Sequence, residues 1–390
     1  MRPFRIEIPE EQIDDLKRRL QYSRLPGGIF QVGSQDGISL PFMRRLMDYW
    51  REGFDWRAQE ARLNQLPHFM ADIQGYSVHL LHKVGVGPAP VPLVLTHGWP
   101  GSFLEFETLI QHLTDPASHG GDPRDAFDVV VPSLPGFGFS PAPEGPGTNS
   151  RRIAELWHDL MRMLGYERYF AQGGDIGAGV STWLGVLYPR NVVGVHLNYV
   201  SAGFRPPLGP GTPAVSAEES EFHERAAAFA AEEGGYSFLQ ATNPQTLSYA
   251  LADSPIGLAA WILEKFESWT DTDGSLEDLI SLDRLLSNIC LYWFGNSIDA
   301  SLRLYKENRK SPLALEGLIP CDVPFAIAHF PRELPIPPRS WIERALKVER
   351  WTEMPRGGHF AALEQPQALA EDIRASFRPW RDAKTNRQRV

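Results

Sequence analysis

The sequence has little cysteine, no long apolar run and no excess of positive charge. Its 390 residues include two cysteines, Cys290 and Cys321, too few for a disulfide framework, which favours a reducing compartment. No apolar run approaches the roughly 20 residues of a membrane span, and the charged N-terminus does not resemble a signal peptide. The net charge of −10 argues against nucleic acid or an anionic membrane as a partner. We therefore expect a soluble, cytoplasmic protein that binds neither nucleic acid nor membrane.

The apolar residues that are present alternate between strand-like and helix-like spacing. Apolar or alternating runs typical of strands are separated by amphipathic segments such as residues 151–164. The predicted strands are residues 76–84, 91–98, 127–134, 166–171, 192–200, 324–330 and 347–354. Strands that alternate with helices predict an α/β fold with a mostly parallel sheet.

This alternation is interrupted between residues 203 and 312. The interrupting stretch has helical spacing, is rich in aromatic residues and contains no clear buried strand. An α/β domain with a helical insertion resembles an α/β-hydrolase with a lid over its site, so we call residues 203–312 the lid segment. The predicted organisation is an N-terminal meander (1–85) packing on core and lid, a first part of the α/β-hydrolase core (86–202), the lid segment (203–312) and a second part of the core (313–390).

One aspartate stands inside a cluster of small residues, in the stretch "AQGGDIGAG" at residues 171–179. Glycine permits sharp turns and close backbone approaches, and the cluster lies between a strand-like run and a helix-like run. Strand, tight turn and helix form the context of a nucleophile elbow, normally written G-x-S-x-G. Asp175 occupies the serine position, and no G-x-S-x-G occurs elsewhere in the chain. Asp175 is therefore the candidate nucleophile.

The order of elements nominates the partners of Asp175. In α/β-hydrolases the chain order is nucleophile, acid and histidine, and His359 in "PRGGHF" follows the final predicted strand. Glu333 follows the strand that ends at Phe330, whereas Asp322 precedes that strand and would lie at the opposite edge of the sheet. We therefore expect Glu333 to be the acid that orients His359.

An oxyanion hole requires backbone N–H groups from the residue after the nucleophile and from a loop after an earlier strand. Ile176 follows Asp175 directly, and "HGWPG" at residues 97–101 is the corresponding loop. These positions nominate the backbone N–H groups of Ile176 and Trp99.

An aspartate nucleophile limits the reaction that the enzyme can perform. A serine that attacked an epoxide or a haloalkane would form a stable ether, whereas a carboxylate forms an ester that water can cleave. Opening an epoxide also requires a proton donor, a role that tyrosine can fill; a haloalkane dehalogenase would need Trp or Asn donors for the halide. The lid segment holds four tyrosines, and composition alone does not choose among them: Tyr236, Tyr249, Tyr292 and Tyr305.

Several motifs spread over nearly the whole chain resemble those of microsomal-type epoxide hydrolases. They are "PEEQIDDLKRRL", "YWREGFDWRAQEARLNQLPHF", "HGWPGSFLEF", "PSLPGFGFS", "GGDIGAG", "DSPIGLAAWILEKFESW" and "FPREL". The resemblance implies a nucleophile at Asp175, a charge-relay acid at Glu333, a base at His359 and two ring-opening tyrosines at Tyr236 and Tyr305. Membrane-bound relatives carry an N-terminal anchor, and this chain begins with the meander, which favours a soluble enzyme.

The resulting hypothesis is an enzyme without cofactor or metal that hydrolyses an apolar epoxide to a vicinal diol. Aryl and polycyclic epoxides are candidate substrates that the sequence does not rank, and the pathway, detoxification or secondary metabolism, stays open. The partners of the enzyme would be the small-molecule epoxide and water, and a homo-oligomer stays open. Two alternatives also stay open: a haloalkane dehalogenase, and a non-catalytic small-molecule-binding protein on the same scaffold.

Overall fold

The structure is a computed structural model that describes residues 1–27, 36–209, 211–315 and 321–382. Parts of three predicted segments, 1–85, 203–312 and 313–390, lie outside these described residues. Every strand predicted from the sequence is present, with its ends shifted by a few residues.

The described strands form one mixed sheet of nine. They are β1 (Arg2–Pro3), β2 (His68–Ile73), β3 (Tyr76–Lys83), β4 (Val91–Thr96), β5 (Phe127–Pro132), β6 (Tyr169–Gly173), β7 (Val192–Leu197), β8 (Cys321–His329) and β9 (Leu346–Glu353). Their order is β1-β2-β3-β5-β4-β6-β7-β8-β9. The first three pairs in this order, β1-β2, β2-β3 and β3-β5, are antiparallel. The other five pairs, from β5-β4 to β8-β9, are parallel. The parallel strands β4 to β8 are mostly buried on both faces, as their apolar runs predict. The edge strand β9 has exposed residues at alternate positions.

Helices cover both faces of the sheet and make up the lid segment. They are α1 (Glu10–Gln21), α2 (Leu40–Glu52), α3 (Trp56–Leu63), α4 (Glu107–Thr114), α5 (Ser150–Met163), α6 (Asp175–Leu187), α7 (Ala217–Glu232), α8 (Gly235–Thr242), α9 (Pro244–Asp253), α10 (Pro255–Trp269), α11 (Leu276–Leu279), α12 (Leu282–Phe294), α13 (Ile298–Lys310), α14 (Arg339–Glu343), α15 (Ala361–Glu364) and α16 (Pro366–Asp382). Within the described part of the chain, none of them combines the length and apolar character needed to cross a membrane.

Local sequence explains why these helices form where they do. In α5 the Asn149 side chain accepts the Arg152 N–H and so caps the helix, while Ile153, Trp157 and Leu160 are buried on one face. In α10 the Ser254 side chain accepts the N–H of Gly257, the third residue of the helix. Proline fills the first helical position. The caps thus fix where α5 and α10 begin, and the apolar face of α5 decides which side it buries.

The N-terminal residues extend the sheet and contact the lid segment. β3 pairs with β5, so β2 and β1 continue the sheet beyond the parallel strands. Arg19 of α1 forms an ion pair with Asp253 at 2.7 Å, and the Tyr49 hydroxyl of α2 donates to Asp283 of α12 at 2.8 Å. These contacts tie the first two helices to the lid segment at more than one point.

The register of the parallel strands brings several loops to one edge of the sheet. Thr96 at the end of β4 pairs with Gly173 at the end of β6, which pairs with Leu197 at the end of β7. Leu197 in turn pairs with Ile327, close to the end of β8. Ligands of open α/β sheets bind at the carboxyl ends of the strands. The loops that follow β4, β6, β8 and β9 therefore define the candidate site.

Candidate active site

Asp175 lies on a tight turn between β6 and α6, in a backbone conformation that is unusual for a residue with a side chain. Its φ is +48°, in the left-handed region. The turn fits because its neighbours lack side chains: a Cβ on Gly98 would collide with the Asp175 carboxylate, and one on Gly177 would collide with the carbonyl oxygen of Thr96. The small residues of the cluster thus allow the turn to pack closely against the end of β4.

His359 lies between Asp175 and Glu333. Its Nε2 is 3.4 Å from Asp175 Oδ2, and its Nδ1 donates to Glu333 Oε1 at 2.6 Å. The Glu333 side chain is fully buried, and its Oε1 also accepts the Leu334 N–H at 2.7 Å. Asp322, the rejected alternative, is exposed at the start of β8. The structure therefore brings together the three residues selected by chain order.

The loop that carries His359 is held by Glu364, a residue that the sequence pattern did not indicate. The Glu364 carboxylate accepts the backbone N–H groups of Gly358 and Phe360, both at 2.9 Å. The His359 N–H itself donates to the Trp269 carbonyl of α10 at 2.9 Å. Because backbone groups on both sides of the imidazole are fixed, its ring is held in place against the two carboxylates.

The flanking carboxylates decide the protonation of His359. Burial acts to lower the pKa of the imidazole, but Glu333 and Asp175 together outweigh it and hold the pKa well above its ordinary value of 6.5. The resting side chain is therefore an imidazolium between two negative groups at neutral pH.

The two predicted oxyanion-hole residues differ in their contacts. The Trp99 N–H donates to Asp175 Oδ1 at 2.8 Å. Ile176 is the second residue of α6, so its N–H lacks a partner inside the helix. Among the described residues, no hydrogen bond joins the Ile176 N–H to the Asp175 carboxylate. The structure thus brings Trp99 to the carboxylate and leaves Ile176 beside it.

Two of the four lid-segment tyrosines reach the site. Tyr236 of α8 stacks on Trp99 with ring centroids 5.5 Å apart, and Tyr305 of α13 meets the same indole edge-on at 5.8 Å. Tyr249 is 71% exposed, and the Tyr292 hydroxyl donates to the Gly101 carbonyl at 2.7 Å. The packing therefore separates the pair Tyr236 and Tyr305 from the other two, which composition could not do.

Both site tyrosines are protonated at neutral pH. Burial is the largest cause that raises the pKa of the Tyr236 phenol and of the Tyr305 phenol, and the negative charge of Asp175 raises both further. Tyr199, a third buried tyrosine, meets the His359 ring edge-on at 5.5 Å, and its pKa is raised by the same two causes. Nothing in the motif spacing indicated Tyr199.

A buried carboxyl group, Glu105, also faces the site. Burial raises its pKa, His359 lowers it and Asp175 raises it, and the net pKa is about 8. Glu105 presses so closely on the backbone of Gly101 that a Cβ at that position would collide with its carboxyl oxygen. The group is therefore uncharged at neutral pH, and glycine at position 101 is what leaves room for it.

Two cavities meet at Asp175. The larger, of about 560 Å³, lies under the lid segment and has a mostly apolar lining that includes Trp183, Phe229, Tyr236 and Tyr305. The smaller, of about 20 Å³, lies on the other side and is lined by residues that include Glu105, Asn198 and His359. Among the described residues, no group of three His, Cys, Asp or Glu side chains could hold a metal ion.

The parallel sheet, the elbow at the end of β6 and the histidine loop after β9 define an α/β-hydrolase fold. Comparison with family models agrees: residues 91–274 match "alpha/beta hydrolase fold" and residues 1–106 match "Epoxide hydrolase N terminus". The predicted fold class is confirmed.

Relatives and solved structures identify the family. Over 401 residues the chain is 39% identical to epoxide hydrolase 1 of Oryctolagus cuniculus, covering 96% of this chain and 88% of that protein. The Aspergillus niger epoxide hydrolase structure superposes with a TM-score of 0.84 at 34% identity, covering 97% and 96% of the two chains. The juvenile hormone epoxide hydrolase structure from Bombyx mori has a TM-score of 0.87 at 32% identity, covering 98% and 95%.

The chain belongs to the epoxide hydrolase family and is an epoxide hydrolase. The resemblance inferred from its motifs is confirmed, and the haloalkane dehalogenase alternative is not favoured.

Proposed function

We propose that this epoxide hydrolase converts apolar, aryl or polycyclic epoxides to vicinal diols through a covalent ester on Asp175. One observation carries the proposal. Asp175 presents one carboxylate oxygen to the Trp99 N–H at 2.8 Å and the other to His359 at 3.4 Å, and it opens to the cavity that Tyr236 and Tyr305 line. An oxyanion donor, a base and two proton donors thus surround a single carboxylate, which is the nucleophile.

In the first step an Asp175 oxygen attacks a ring carbon of the epoxide. A carbon–oxygen bond forms to the aspartate, the ring carbon–oxygen bond breaks, and its electron pair goes to the epoxide oxygen. Tyr236 and Tyr305 hold that oxygen and supply a proton, which their raised pKa values keep available at neutral pH. The product of this step is a hydroxyalkyl ester of Asp175.

Formation of the ester changes His359 from an acid into a base. Esterification removes the negative charge of Asp175, one of the two charges that raise the pKa of the imidazole, while burial continues to lower it. The imidazolium therefore loses its proton to the phenolate left by the first step. The neutral ring, still oriented by Glu333 at 2.6 Å, can then take a proton from water.

In the second step the activated water attacks the ester carbonyl carbon of Asp175. The backbone N–H of Trp99, with that of Ile176, stabilises the negative oxygen of the tetrahedral intermediate. The small cavity beside Glu105 and His359 supports a water site, because its volume of about 20 Å³ exceeds the ~10–15 Å³ that one water requires. Collapse breaks the bond between the carbonyl carbon and the substrate oxygen, which takes the proton from His359 and leaves as the diol. The carboxylic acid left at Asp175 then gives its proton to His359, which restores the aspartate and the imidazolium.

The large cavity supports an apolar substrate. Its volume of about 560 Å³ lies within the usual range for ligand sites, roughly 300–1,000 Å³, and aromatic side chains contribute to its lining. Such a lining favours aryl over short alkyl epoxides, because an aryl epoxide has more apolar surface to remove from water when it binds.

A substrate panel tests this function. Styrene oxide, trans-stilbene oxide, 1,2-epoxybutane and 1-chlorohexane would be assayed for diol and for chloride, with Asp175→Ala as the blank. We expect the aryl epoxides to exceed epoxybutane in kcat/KM by about 10- to 100-fold, since each methylene-sized contact contributes up to that much. Equal rates for aryl and alkyl epoxides would contradict the apolar assignment. Chloride release without diol formation would support a dehalogenase, and no turnover with no adduct would support a binding protein.

A further inference from the structure

A buried lysine lies against one of the two site tyrosines. Lys265 is on α10, its side chain is 6% exposed, and its Nζ lies 4.6 Å from the centroid of the Tyr236 ring and 5.6 Å from that of Trp269. Its partner is Glu264, whose Oε2 is 2.6 Å from Nζ and whose side chain is 23% exposed. Lysines are almost never fully buried without a partner, and an ammonium over an aromatic face is attracted by the ring.

The contact makes the two tyrosines unequal. In the described part of the chain, Lys265 contacts the ring of Tyr236, and no cation lies over the ring of Tyr305. The rings of the two tyrosines meet edge to face with their centroids 5.9 Å apart, so the ammonium packs on only one member of the pair. This contact favours loss of the proton from Tyr236.

We propose that Lys265 is a positioning residue that stabilises the phenolate of Tyr236, so that Tyr236 gives its proton to the opening epoxide while Tyr305 remains protonated and only donates a hydrogen bond. This inference rests on the proposed function and assigns unequal roles to the pair. The proton passes from Tyr236 Oη to the epoxide oxygen as Asp175 forms its ester bond, and the phenolate regains a proton from the His359 imidazolium.

The charges around Tyr236 show why a cation is needed there. The groups that face it from the surrounding elements are Asp175 of α6, Tyr305 of α13, Glu264 and Lys265 of α10, and Glu233 after α7. Three of them are carboxylates, which oppose formation of a phenolate. Lys265 supplies a positive charge directly against the ring, with its Nζ 4.6 Å from the ring centroid. The other cation of the site is the His359 imidazolium, which returns the proton to the phenolate.

Single-turnover kinetics with styrene oxide test the inference. Excess enzyme is mixed rapidly with substrate, and formation of the ester is separated from its hydrolysis by quenching and mass analysis between pH 6 and pH 9. Lys265→Met keeps the aliphatic stem, and we expect it to slow ester formation about 10- to 30-fold at pH 7, as loss of a desolvated cation–π contact implies. Ester hydrolysis should change by less than about twofold, because Lys265 does not contact His359. Lys265→Arg should recover much of the rate.

Double variants separate this role from a structural one. In a Tyr236→Phe background Lys265→Met should slow ester formation no further, whereas in a Tyr305→Phe background it should have its full effect. Thermal unfolding confirms folding, and Lys265→Gln replaces Lys265→Met if that variant is unstable.

The outcomes distinguish the inference from the function on which it rests. If Lys265→Met slows ester formation as much in the Tyr236→Phe background as in the wild type, the role of Lys265 is overturned and the proposed function is unaffected. The same holds if Lys265→Met slows ester formation and ester hydrolysis equally. If Tyr236→Phe by itself leaves ester formation unchanged, the assignment of Tyr236 in the proposed function fails, and the inference fails with it.

Discussion

Replacing His359 by glutamine is expected to stop the reaction after one alkylation. Asp175 and the two tyrosines are unchanged in this variant, so the ester should form, but no base is left to activate water. Loss of a general base costs about 10²–10⁴-fold in rate, and here the base is also the group that Glu333 orients at 2.6 Å. The Asp175 ester should therefore accumulate to one equivalent per chain.

Intact-protein mass spectrometry checks this result. The variant incubated with styrene oxide should gain the mass of one epoxide, located on the peptide that contains Asp175. His329→Gln is a matched control, since His329 forms a similar pair with Glu353 at 2.8 Å on the surface; it should turn over as the wild type does. An unmodified His359→Gln protein, or an adduct on a different residue, would contradict the covalent scheme.

Loss of both site tyrosines is expected to abolish ester formation almost completely. Tyr236 and Tyr305 line the same cavity and pack on the same indole of Trp99, so each can partly replace the other as donor to one oxygen. We expect each single change to phenylalanine to slow ester formation about 10- to 100-fold and the double change to slow it about 10⁴-fold, in line with general-acid catalysis.

The same single-turnover assay measures these rates. Tyr249→Phe is the matched control, because this lid-segment tyrosine is 71% exposed and lies away from the cavity lining; its rate should not change. A double variant that forms the ester at the wild-type rate would show that the ring-opening proton comes from another group.

The order of the elements along the chain was sufficient to predict which three side chains lie together at the site. Parallel strands joined by right-handed crossovers place their carboxyl ends at one edge, so residues that follow β6, β8 and β9 must meet there. Asp175, Glu333 and His359 were identified by their place after a strand, and in the structure their side chains lie next to one another. Their catalytic roles are part of the proposed function. The glycine cluster was informative because close packing against the end of β4 excludes side chains.

Other features depend on packing that no local pattern encodes. β1 and β2 were not predicted, because their pairing with each other and with β3 depends on tertiary contacts. Glu105 looks like an ordinary helix-flanking carboxylate until burial raises its pKa to about 8. Lys265 belongs to a recognised motif, but only the approach of α8 to α10 sets its ammonium over Tyr236. Composition likewise could not select Tyr236 and Tyr305 from the four lid-segment tyrosines. That selection required the helix packing or the family resemblance.

The source of the oxygen in the diol tests the covalent mechanism most directly. Enzyme in excess over styrene oxide would react for a single turnover in ¹⁸O-water, and diol and tryptic peptides would be analysed by mass. If Asp175 is the nucleophile, its own oxygen leaves with the product and water replaces it, so the first diol should be unlabelled and the Asp175 peptide should gain ¹⁸O. Direct attack of water on the epoxide would instead label the diol in the first turnover and leave the peptide unlabelled, which would contradict the proposed role of Asp175.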